Sequence, residues 1–138
     1  MIRALALVVA LALAAPALAA PLLARIDLSE QEMTVFVEGR ERHRWPVSTA
    51  RAGKVTPTGL FMIGTMKRMH YSTIYHGAPM PWSMFFHGNY AIHGTTEVER
   101  LGRPASAGCV RLHPDHAERL FKLVLAHGRE NTLVEIVR

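Results

Sequence analysis

The 138-residue chain contains a single cysteine, Cys109. One thiol excludes an intramolecular disulfide framework, the usual staple of small exported domains. Charged residues make up 20% of the chain and aromatic residues 7%, with no block of one sign. That distribution excludes a charged tail and the interleaved basic and aromatic pattern of a nucleic-acid binder. Heptads, repeats at solenoid periods and polar low-complexity tracts are also missing, which excludes coiled coils, repeat arrays and disorder. No β-α-β alternation suggests a nucleotide fold. What remains is globular composition, 49% hydrophobic, with room for one domain.

One long apolar run exists, and it opens the chain. Arg3 precedes an Ala/Leu/Val stretch from Ala4 to Ala15, followed by Pro16-Ala17-Leu18-Ala19-Ala20. A basic end, a short apolar stretch and an A-x-A site describe a secretory signal peptide. Cleavage after Ala19 uses Ala17 and Ala19 as the small side chains, so residues 1–19 read as signal and 20–138 as the mature domain. The stretch is shorter than the ~20 residues a membrane span needs, so no stable anchor is expected after cleavage. Loss of the segment removes one of 16 basic residues set against 11 acidic ones. The mature chain stays basic, which suits an anionic polymer outside the cytoplasm and not a nucleic acid.

Alternation marks strands at Arg25–Ser29 and Met33–Val37, and Glu38-Gly39-Arg40 turns the chain into a third strand whose Pro46 suits a sheet edge. Thr56-Pro57-Thr58-Gly59 is a turn signal before the apolar strand Leu60–Ile63, with further strands at Tyr90–His93, Cys109–Leu112 and Thr132–Val137. Ala117, Leu120, Phe121 and Val124 recur at helical spacing between Pro114 and Gly128. The fold class is mainly β, with one packed helix. Met69 to Gly88, which includes Tyr71, Met80 and Trp82, lacks clean periodicity and reads as a long loop, either covering a substrate pocket or packing its own aromatics.

An odd cysteine in an exported chain is a buried inert thiol, a nucleophile, a link to a second copy or a metal ligand. His113 and His116 lack the i, i+4 spacing of the common zinc motif, so metal is not expected. His93 ends one strand and Cys109 opens another, so adjacent strands would bring imidazole and thiol together as base and nucleophile. In an extended segment Cys109 and Arg111 share a face, where a guanidinium favours a thiolate and holds a carboxylate in a two-pronged contact. The N–H groups around Ala107, Gly108 and Cys109 are candidates for an oxyanion hole.

The pieces His93-Gly94-Thr95 and Ser106-Ala107-Gly108-Cys109-Val110-Arg111, in that order, carry a resemblance to the L,D-transpeptidase catalytic domain, also called the YkuD domain. Asp27-Leu28-Ser29, Val47-Ser48, Thr56-Pro57-Thr58-Gly59 and Met80-Pro81-Trp82 extend it over nearly all of the mature chain. The resemblance implies a β-sandwich and a periplasmic or wall-associated enzyme without a cofactor. It implies that Cys109 cleaves the bond before the terminal D-Ala of a tetrapeptide stem and passes the acyl group from a thioester to an amine. His93 would act as base, oriented by a backbone carbonyl and by Ser106 or Gly94, with Arg111 positioning the stem. The acceptor would be a second stem or an outer-membrane protein, and carbapenems would acylate the thiol. Hydrolysis of a stem or release of a wall-bound protein uses the same site, and a non-catalytic wall-binding module is the reading from another class. Ala107 and Arg111 stand where many members carry histidine and asparagine, so acceptor preference does not transfer.

Overall fold

The structure, a computed structural model, describes residues 20–138. The signal-peptide reading of residues 1–19 lies outside them. Strand β1 (Leu22–Asp27) pairs antiparallel with β2 (Glu32–Val37) and parallel with the last strand, β9 (Thr132–Val137). With β3 (Arg40–Pro46) and β4 (Gly59–Met62) they form one sheet in the order β3-β2-β1-β9-β4. The second sheet runs β5 (Met66–Tyr71), β6 (Pro79–His87), β7 (Tyr90–Gly94) and β8 (Val110–Leu112). Both sheets are mixed.

Alternation explains the first sheet. Leu22, Ala24 and Ile26 of β1, Met33 and Val35 of β2, and Val134 and Ile136 of β9 point inward and are fully or almost fully buried. The β2–β3 connection is the two-residue loop Glu38-Gly39, with φ of 50° and 77°. Two left-handed residues match the twist of the flanking strands. Pro46 lies in β3 at the sheet edge, where a missing N–H costs the ladder nothing.

Helix α1 (Pro114–His127) begins with proline in its first turn, after His113 accepts a cap bond from the Asp115 N–H at 3.1 Å. It buries Ala117, Leu120, Phe121 and Val124, packs chiefly on β6 and β7, and reaches β1. These side chains join one core with residues from both sheets. No helix among the described residues is long and apolar enough to cross a membrane.

The segment from Met69 to Gly88 is not a long loop. It is most of the β5–β6 hairpin, closed by a short connection at residues 72–78. Proline at 79 and 81 and the mixture of methionine and histidine hide the strand pattern. Trp82 also breaks it: its φ is 57°, and the β5–β6 ladder omits the pair it would make with Arg68. Its indole packs against Phe121 of α1, centroids 5.3 Å apart, under the Arg68 guanidinium at 5.6 Å. Trp82→Ala should therefore lower stability by about 3 kcal/mol in urea unfolding while leaving the alkylation rate of Cys109 unchanged. A loss of thiol reactivity without a loss of stability would place the indole at the pocket.

Candidate active site

Residues 93 and 109 meet because β7 and β8 pair in parallel. The register sets Ile92 against Val110 and His93 against Arg111, so Cys109, just before β8, falls diagonally across from His93 on the same face. A parallel pair needs a long crossover. Here residues 95–109 supply it, with only a short 3-10 turn at Val98–Arg100.

That crossover is fastened along its length. The segment after β3 forms a bridge through Ser48 and Arg111, with N···O distances of 3.0 and 2.9 Å, and a second between Ala50 and Ser106. The Ser48 hydroxyl donates to the Arg103 carbonyl at 2.7 Å. Gln31, buried with φ of 51°, accepts from the Thr49 N–H and donates to the Thr49 hydroxyl, aligning the same segment from behind.

Thr56 is the residue whose role the sequence reading missed. Beyond marking a turn, its buried hydroxyl accepts from the Ala50 N–H at 3.0 Å and donates to the Gly108 carbonyl at 2.7 Å. Gly108 itself has φ of 141°, and a Cβ there would meet the Tyr90 ring at 2.6 Å and the Val55 carbonyl at 2.8 Å. No larger residue fits beneath Tyr90. The chain is therefore held on both sides immediately before the thiol.

His93 is buried, 6% exposed. Its Nδ1 lies 2.7 Å from the Gly94 carbonyl oxygen. A carbonyl only accepts, so Nδ1 carries the proton and Nε2 keeps its lone pair. Burial pushes the His93 pKa down to about 4; the Gly94 bond opposes that shift, and the charges of Arg111 and His70 add to it. The imidazole is neutral at physiological pH and ready to accept a proton.

Burial raises the Cys109 thiol above its ordinary value, against opposing effects of the Ala91 backbone bond and the Arg111 charge. Its Sγ donates a long contact, 3.8 Å, to the Asn89 carbonyl. The resting pair is thus thiol and neutral imidazole, which suits transfer of the proton during attack and not a preformed ion pair.

Both residues line a cavity of about 570 Å³ together with Met80, Ser106, Ala107 and Arg111. Tyr71 and Trp82 are not on its wall. His70 lines the cavity, so its strand neighbour Tyr71 faces away and is 60% exposed. The oxyanion reading also narrows. The Gly108 N–H is committed to the Ser106 hydroxyl at 3.0 Å, and that hydroxyl donates to the Cys109 carbonyl at 2.7 Å. The Ala107 and Cys109 amides remain as candidate donors, and the Ser106 hydroxyl bonds within the turn, while the hydrogen-bond partner of His93 is Gly94. Gly94 orients His93 through its carbonyl and is pressed against Pro114 and Pro81, where a Cβ would lie 3.0 and 3.1 Å away. Glu97, also on the wall, pairs with Arg111 at 3.3 Å, a contact no local pattern announced.

Comparison with known proteins finds relatives in both sequence and structure. Residues 22–136 match the family model for the L,D-transpeptidase catalytic domain, YkuD. The Bacillus subtilis protein YkuD, named as an L,D-transpeptidase, is 26% identical over 101 residues, which are 72% of this chain and 58% of that protein. The chain thus spans little more than half of that relative. An L,D-transpeptidase from Mycobacterium smegmatis superposes with a TM-score of 0.78 at 20% identity, over 86% of this chain and 59% of the other. One from Xylanimonas cellulosilytica gives 0.75 at 26% identity, over 88% and 63%.

Two outcomes test the site. The ring carbon resonances of His93 should titrate with a midpoint near 4, so a midpoint near the ordinary 6.5 would mean that the ring is solvated. Thr56→Val keeps the shape but strands the buried Gly108 carbonyl and the part-buried Ala50 N–H, and should cost about 2 kcal/mol and slow Cys109 alkylation, with Thr56→Ser restoring both. Unchanged unfolding and reactivity in Thr56→Val would remove the pin.

Proposed function

The chain belongs to the L,D-transpeptidase catalytic domain family, and from that premise we propose that it is an exported, cysteine-dependent acyltransferase of peptidoglycan stem peptides. The observation that carries the reading is the neutral His93, with its tautomer set by the Gly94 carbonyl, on the same cavity wall as Cys109. The signal-like residues 1–19 support export to the periplasm and wall.

In this reading Cys109 Sγ attacks the carbonyl before the terminal D-Ala of a tetrapeptide stem as its proton passes to His93 Nε2. Negative charge on the carbonyl oxygen is met by the Ala107 and Cys109 amides. The carbon–nitrogen bond then breaks, His93 returns the proton to the departing amine, and free D-Ala leaves behind a thioester. An acceptor amine attacks that thioester, gives its proton to His93 and forms an amide, and the sulfur leaves as thiol once the proton returns. The acceptor is the side-chain amine of a second stem or an amine on an outer-membrane protein. Water in its place would release a tripeptide through the same acyl-enzyme.

Mass spectrometry of a disaccharide-tetrapeptide incubated with the mature protein tests this. Wild type should convert it to a cross-linked dimer with loss of D-Ala, and Cys109→Ala, still folded, should be slower by at least about 1,000-fold. A tripeptide in place of the dimer would make the enzyme a hydrolase. An unchanged substrate with both proteins would overturn the donor assignment.

A further inference from the structure

Two arginines, Arg51 and Arg111, line the cavity, and they are not equivalent. Arg111 is engaged within the protein. Its Nη1 lies 3.3 Å from Glu97 Oε2, its side chain is only 24% exposed, and Glu97 is shared with Arg100 at 3.5 Å. A ligand carboxylate arriving at Arg111 would have to compete with one already in place.

Arg51 lines the same cavity. Among the described residues no carboxylate lies within ion-pair reach of it, the pairs being made by other cations. Its backbone is nevertheless held. The Arg51 N–H donates to the Ser106 carbonyl at 2.9 Å, and its own carbonyl accepts from the Lys54 N–H at 3.0 Å. Ala50 is bridged to Ser106, three residues before the thiol. An arginine with no ion-pair partner thus stands on a fixed backbone in the lining that also presents Cys109.

A guanidinium with all five donors free is the group best matched to a carboxylate by charge and by planar two-pronged geometry. We propose that Arg51 is the carboxylate-recognition residue of this site, and that Arg111, balanced by Glu97, is a positioning group. The carboxylate is one on the donor, either at the terminus of the residue that leaves or on the diamino acid before it. The donor's identity rests on the function proposed above. The recognition of a small carboxylate beside Cys109 does not.

A probe independent of that function is the ratio of Cys109 alkylation rates with iodoacetate and iodoacetamide, which differ in the carboxylate. The variants are Arg51→Gln, Arg51→Lys and Arg103→Gln, the last removing an equal charge from a residue outside the cavity. Arg51→Gln should lower the ratio about tenfold, Arg51→Lys, which keeps the charge but loses the two-pronged geometry, should lower it by less, and Arg103→Gln should change it less than twofold. An unchanged ratio in Arg51→Gln, or an equal fall in Arg103→Gln, overturns the proposal.

The tetrapeptide then separates the two sources. Arg51→Gln should raise the donor KM about tenfold with kcat held. Amidating the carboxylate that Arg51 reads should raise the wild-type KM by the same factor and make the mutation silent. A ratio that falls while no variant turns over the tetrapeptide supports the proposal and rejects the donor. A ratio and KM that stay put while turnover proceeds reject the proposal alone.

Discussion

The site depends on three residues of parallel pairing. Ile92, His93 and Gly94 run beside Val110, Arg111 and Leu112, and a shift of one position would send Cys109 to the opposite face from His93. Parallel pairing gives no help from a tight turn, so the register has to be enforced by what surrounds the crossover. The Ser48–Arg111 and Ala50–Ser106 bridges do this along the chain, and the Thr56 hydroxyl does it at Gly108. The Thr-Pro-Thr-Gly segment, remote in sequence, is thereby part of the thiol's support.

The same burial that fixes the pair also sets its chemistry. Removing His93 and Cys109 from water disfavours imidazolium and thiolate alike, so the imidazole titrates near 4 and the thiol is raised. Charge separation is deferred until a carbonyl is present to share it. The Arg111 charge opposes protonation of His93 and would do so more strongly if it stood alone; Glu97 at 3.3 Å balances it. The wall therefore keeps one cation occupied by the protein and leaves the other, Arg51, to a ligand.

Much of the fold is legible from the residues. Period-two burial in Met33–Val37 and Thr132–Val137, and helical spacing in Pro114–His127, hold because each element has one face to hide; the strand read at Arg25–Ser29 runs instead over Leu22–Asp27, where Leu22, Leu23 and Ala24 are all buried. Legibility fails between Met69 and Gly88, where prolines and a left-handed Trp82 interrupt the alternation of strands that exist all the same. Tyr71 and Trp82, expected to contact substrate, lie off the cavity wall for a related reason. Aromatic residues near a site in sequence take whichever face the pleat and the helix leave them, and Trp82 takes Phe121.

His93, Cys109, Arg111 and the glycine beneath the thiol are identifiable in sequence because chemistry demands particular atoms: a nitrogen lone pair, a sulfur, a cation and a position without Cβ. Mainly β architecture follows from the period of the apolar residues for the same local reason. Which amide is free for an oxyanion, which arginine is already paired, and which nitrogen of His93 carries the proton are decided only by folding. Glu97, far from Arg111 in sequence, claims its guanidinium, and enclosure by the core makes the His93 ring neutral. Ser106 and Gly94 are near neighbours in sequence of the groups they bind, but the turn and the ring orientation that make those bonds are set by the surrounding fold. Hydrogen bonds and desolvation depend on what surrounds an atom in space, and a local pattern in the chain does not carry that information.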